Sequence, residues 1–137
     1  MEQNTTEANS SYNKSTLVVE DNIDIQESLK ATLENEGYSV FTADNGREAL
    51  DRLEKMPTPC LILLDLMMPV MNGWEFVEEI NKDIMLSSIP IVVVTAIGDS
   101  KNSPKTDGYI PKPINFDALI GAVCKHCGDN STSCMTN

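Results

Sequence analysis

The sequence predicts an α/β fold, a parallel sheet wrapped by helices, and three observations carry that reading. Short apolar runs rich in β-branched residues are continuous instead of alternating with period two, which suits strands covered on both faces. Between them stand segments whose apolar residues recur at helical spacing. Strand and helix then alternate along the chain with no internal repeat. At 137 residues, 41% hydrophobic and 23% charged, the chain suits one domain with a real core.

The strand candidates are "TLVV" at 16–19, "YSVF" at 38–41, "CLILL" at 60–64, "IVVV" at 91–94 and the weaker "GYI" at 108–110. The first intervening segment sets Ile25, Leu29 and Leu33 on one helical face and closes at Gly37. The second, from about Asn45 to Met56, carries Ala49, Leu50 and Leu53 and stops at Pro57. The third, from about Gly73 to Asp83, has Phe76, Val77 and Ile80 at i, i+3 and i+4 spacing. The last begins at Asn115 and carries Phe116, Leu119, Ile120 and Val123. One crossover has no such pattern: "TAIGDSKNSPKTD" lies between the fourth and fifth runs, long enough to return to the sheet but without an amphipathic face. A loop or a single turn is expected there. The polar ends, 1–14 and 128–137, are expected to be disordered around an ordered domain at 15–127.

Net charge of −11 argues against direct contact with nucleic acid or an anionic membrane, since phosphate contacts need clustered Lys and Arg. A protein partner fits better. No apolar stretch has the length of a membrane span and the N-terminus lacks a signal-peptide layout, so no membrane insertion and a cytoplasmic location are expected. Cys60 reads as a small core hydrophobe. "CKHC" at 124–127, with Cys134 beyond, invites a zinc reading, but a second ligand pair is missing and a helix end running into a loose tail is the plainer expectation.

The chemistry gathers around Asp65 in "LILLDLMMPVMNG". A lone carboxylate in such an apolar run would be costly to bury, so other groups should come to meet it. In an open parallel sheet, ligands bind beyond the carboxyl ends of the strands. Glu20 and Asp21 follow the first run, Asp65 the third and Thr95 the fourth, with Lys112 just after the fifth. Three crowded carboxylates call for a divalent cation, and oxygen ligands suit Mg²⁺. A hydroxyl and an ammonium suit a phosphoryl oxygen. Asp65, on the central strand, is the natural nucleophile for an acyl phosphate.

With "LVVEDN", "LILLDLMMPVMNG", "IPIVVVTA" and "GYIPKPI" in place, the stretch from about 15 to 124 resembles the receiver domain of two-component response regulators. The resemblance implies a flavodoxin-like, doubly wound sheet of five strands in the order 2-1-3-4-5, here with the helix between the fourth and fifth strands absent or reduced to a turn. It implies that a histidine kinase or histidine phosphotransfer protein phosphorylates Asp65. Mg²⁺ (or Mn²⁺) would be held by Asp21, Asp65 and the Met67 main-chain carbonyl, with Glu20 acting through water. Thr95 and Lys112 would take the phosphoryl oxygens, Lys112-Pro113 would be a cis peptide, and Tyr109 would be the switch aromatic. Output would pass to a downstream protein target or a homodimer. No DNA-binding or catalytic output segment is expected past the last helix of this sequence.

Other classes fare less well. A phosphohydrolase of the haloacid-dehalogenase kind needs a second acid where Met67 stands, so turnover of an external substrate is not expected. A flavin carrier needs a Ser/Thr/Gly-rich loop where "EDNID" stands. An interaction or dimerisation module, acting through an uncovered face of the fourth and fifth strands, is the alternative that survives.

Overall fold

A computed structural model describes residues 14–96 and 104–128. The strands are β1 (Ser15–Val19), β2 (Ser39–Ala43), β3 (Leu61–Leu64), β4 (Ile91–Ala96) and β5 (Gly108–Lys112). All pair in parallel, in the order β2-β1-β3-β4-β5. The helices are α1 (Ile23–Asn35), α2 (Gly46–Leu53), α3 (Gly73–Asn81) and α4 (Phe116–Cys127), with one 3₁₀ turn at Leu86–Ser88. The chain therefore adopts the flavodoxin-like topology.

Each helix opens on an asparagine. Asn22, Asn45, Asn72 and Asn115 have extended backbones, and each side chain accepts from the main-chain N–H three residues on. At α3 the Glu75 side chain also returns to the Asn72 N–H, completing a capping box. These caps fix where each helix leaves its loop, and the loops at 20–22, 44–45 and 65–72 run from a strand's carboxyl end to such a start.

The sheet separates two apolar layers because strand side chains alternate in direction. Leu17, Val19, Ile62 and Leu64 face α2 and α3, where Ala49, Leu53, Phe76, Val77 and Ile80 meet them. Val18, Leu61, Leu63, Val92, Val94 and Ile110 face α1 and α4, meeting Leu29, Leu33, Leu119 and Val123.

Four expectations change or fall outside view. Thr95 and Lys112 lie within the last residues of β4 and β5 instead of following them. The surface anticipated as bare across the fourth and fifth strands is narrower: Ile91 to Thr95 are buried, and Ala96 of β4 with Tyr109 and Pro111 of β5 remain exposed. The missing crossover helix can be judged only over 104–107, which carry no helix; 97–103 lie outside the described residues, as do the tails at 1–13 and 129–137.

The reading of Cys60 is corrected, whereas the helix end expected at "CKHC" is found. Cys60 is no free core thiol but is disulfide-bonded to Cys127, the last residue of α4. The two lie on neighbouring elements of one apolar layer, a proximity that no spacing 67 residues apart could announce. Cys124 is disulfide-bonded as well, so neither cysteine of "CKHC" offers a thiolate to zinc.

Candidate functional site

Register brings the acids together. Val19 pairs with Leu64, so the next residues along, Glu20 and Asp65, stand side by side at the carboxyl edge of the sheet. The Asp65 N–H donates to the Val19 carbonyl at 2.9 Å, holding the loop after β3 to the end of β1. Asp65, Glu20 and Thr95 are 5%, 2% and 0% exposed. An open cleft of about 320 Å³ is lined by Glu20, Asp21, Asp65, Met67, Thr95 and Lys112, together with Asn22, Ile25 and Ala96.

Glycines allow the loops to close on this edge. A Cβ at Gly73 would lie 2.7 Å from the Asp65 carbonyl oxygen and 2.8 Å from the Leu66 Cα, both main chain. A Cβ at Gly46 would lie 2.9 Å from the Met71 carbonyl, to which the Gly46 N–H donates at 2.8 Å. The first contact seats α3 directly behind Asp65. The second ties the loop after β2 to the loop after β3.

The electrostatics are those of too many acids for one cation. Lys112 Nζ is 3.0 Å from Glu20 Oε1 and 3.6 Å from Asp65 Oδ1. Burial raises the Asp65 carboxyl from its ordinary 3.8 to about 6, and the neighbouring Glu20 charge pushes the same way. Lys112 and a main-chain hydrogen bond from Met67 pull it back only in part. Glu20, Asp21 and Asp65 each bring a carboxylate oxygen to within 4.8 Å of the others, the donor chemistry that a small divalent cation takes.

Each expected residue can now be placed. Glu20, Asp21, Asp65, Met67, Thr95 and Lys112 share the cleft. Lys112–Pro113 is cis. Tyr109 does not line the cleft; it sits on β5 in register with Val93 and is 37% exposed. One residue escaped the sequence reading. Gln26 is buried beneath the Glu20 loop, in a stripe with Leu29 and Leu33. A polar side chain at i, with apolar ones at i+3 and i+7, was the available signal.

A family model for the response regulator receiver domain matches residues 16–124. This chain belongs to that family. As a receiver domain it is 39% identical over 112 residues to the transcriptional regulatory protein CpxR homolog of Haemophilus influenzae, covering 78% of this chain and 47% of that one. It thus spans about half the length of the curated relatives it matches. Among solved structures it is similar to the receiver domain of a signal transduction histidine kinase from Syntrophus aciditrophicus, with a TM-score of 0.77 and 29% identity over 87% of this chain and 93% of that one. The receiver domain of sensor histidine kinase PA1611 from Pseudomonas aeruginosa gives 0.77 and 27%, covering 85% of this chain and 99% of that one. That structure has a magnesium ion coordinated in its active-site cleft. Receiver domains serve phosphoacceptor signalling, and this one has their fold and an acidic cluster at the carboxyl edge of its sheet.

Proposed function

We propose that this receiver domain is a phosphorylation switch in which Asp65 accepts a phosphoryl group from the phosphohistidine of a histidine kinase or phosphotransfer protein. The observation that carries the reading is the meeting of Asp65, two further acids, a hydroxyl and an ammonium in one open cleft. An Asp65 carboxylate oxygen attacks phosphorus, the P–N bond breaks, and its electron pair stays on the imidazole nitrogen. Lys112, poised between Glu20 and Asp65, takes one phosphoryl oxygen as an ion pair, and Thr95 takes another through its hydroxyl.

Glu20 through water, Asp21, Asp65 and the Met67 carbonyl would hold Mg²⁺ or Mn²⁺, and the magnesium in the PA1611 receiver supports that choice. When bound, such an ion offsets the charge of the clustered acids and of the incoming phosphoryl group. The acceptor loop, seated on Gly73, keeps Asp65 aimed into the cleft while α3 fills the space behind it.

The added charge of about −1.5 to −2 draws Thr95 and Lys112 inward and shifts Tyr109, changing the surface offered to a downstream protein or a second copy. Turnover of an external substrate is not part of this role. No helix of the described residues is long and apolar enough to cross a membrane, and a kinase-fed switch belongs in the cytoplasm.

The test is incubation with acetyl phosphate, or with a beryllofluoride salt, in the presence of Mg²⁺. The expected result is a mass increase of one phosphoryl group, or a beryllofluoride-dependent spectral change, that chelation and Asp65→Asn both abolish. Phosphoryl uptake persisting in Asp65→Asn would count against the assignment.

A further inference from the structure

The acid cluster has a support that none of its own residues supplies. Gln26 of α1 is 8% exposed, and its side-chain amide donates to the Glu20 carbonyl at 2.8 Å and to Asp44 Oδ1 at 2.9 Å, with the Ala43 carbonyl at 3.4 Å. The Glu20 N–H donates in turn to the Ala43 carbonyl at 3.0 Å. Glu20 is therefore held on both sides of its Cα, through its N–H and through its C=O.

The consequence follows from peptide geometry. The carbonyl that Gln26 holds belongs to the Glu20–Asp21 peptide, a plane that contains both Cα atoms. Fixing that oxygen fixes the origin of two of the three clustered carboxylates. The anchor on the far side is itself braced: the Asp44 N–H donates to Glu48, and the Gly46 N–H donates to the Met71 carbonyl in the acceptor loop. From Gln26, hydrogen bonds thus reach the loop after β1 and the loop after β2, and through the latter the loop that carries Asp65.

We infer that Gln26 is a positioning residue for divalent-cation binding, its amide holding the Glu20–Asp21 peptide in register with the Asp65 loop. This rests on the metal-dependent reading proposed above. Residues behind a metal's direct ligands orient those ligands, and losing one costs about 10–100-fold in affinity. The β2–α2 loop, which gives the cleft no lining residue of its own, acts as the abutment.

The experiment is Mn²⁺ titration of the full chain followed by the electron paramagnetic resonance of the free ion, with thermal unfolding measured on the same samples. Gln26→Met keeps the bulk and loses both donors; Gln26→Asn keeps the amide but withdraws it by one methylene, and serves if the first variant folds poorly. Leu29→Val, in the same buried stripe, loosens α1 without touching a hydrogen bond. Both Gln26 variants are expected to bind Mn²⁺ about tenfold more weakly, while Leu29→Val stays within about twofold of the parent despite a lower unfolding midpoint. Gln26 variants that bind as the parent does, whatever their midpoint, overturn the inference alone. A parent chain that shows no saturable Mn²⁺ site overturns the metal-dependent reading and this inference with it.

Discussion

Asp65 and Glu20 set two buried acids against the single ammonium of Lys112, and the imbalance governs the site residue by residue. With its carboxyl raised from 3.8 to about 6, Asp65 binds a proton more tightly folded than unfolded. Its contribution to stability is therefore fully present below about pH 4 and is lost as the pH rises through 6. At about 1.4 kcal/mol per pH unit, reduced for solvent screening, the penalty at neutral pH is about 1–2 kcal/mol. Asp65→Asn should accordingly stabilise the metal-free protein by about 1–2 kcal/mol at pH 7, with the advantage gone near pH 4. Urea unfolding in chelator at both pH values checks this; a less stable variant at pH 7 would show that the carboxylate is satisfied by its neighbours.

At the scale of elements, the loop between β3 and α3 carries the tightest constraints. Gly73 opens α3 against main-chain atoms of Asp65 and Leu66, which cannot step aside as a side-chain tip can. Gly73→Ala is expected to destabilise by about 1–3 kcal/mol and to weaken Mn²⁺ binding, because the displaced backbone is that of Asp65 itself. Paired denaturation and metal titration separate the two effects, and unchanged binding would mean that the loop adjusts elsewhere. In the same loop Val70 sits at φ 67° with 80% of its surface exposed. A β-branched residue is strained there. Val70→Gly should stabilise by about 1 kcal/mol, since the left-handed backbone costs an L-residue about 1–2 kcal/mol. A higher urea midpoint is the expected reading; a lower one would mean that the valine side chain makes a compensating contact.

Across the whole molecule, the Cys60–Cys127 bond joins the start of β3 to the end of α4, at the opposite edge of the sheet from Asp65. It closes a loop of 67 residues, which by chain entropy stabilises the oxidised fold by about 4 kcal/mol. Cys60→Ser should lower stability by about that amount under oxidising conditions and leave Mn²⁺ affinity near the parent value. Calorimetric unfolding with and without reductant tests the first half; a large loss of affinity would show the two edges of the sheet to be coupled. With a net charge of −11, this chain is repelled by polyanions.

The strands, the four helices and the family were legible from local signals: continuous apolar runs for buried strands, i, i+3, i+4 spacing for helices, and short motifs at the strand ends. Glu20, Asp21, Asp65, Thr95 and Lys112 could be listed because a parallel sheet sends the carboxyl ends of its strands to one edge; Met67 came only from the family resemblance. Tertiary structure alone decided the rest. Cys60 meets Cys127 only because α4 packs against β3, and Gln26 reads as one polar residue in an apolar stripe until the Glu20 and Ala43 carbonyls arrive above it. Sequence periodicity reports which face of an element is buried; which partner waits at that face depends on contacts between segments far apart in the chain, and no local pattern encodes them.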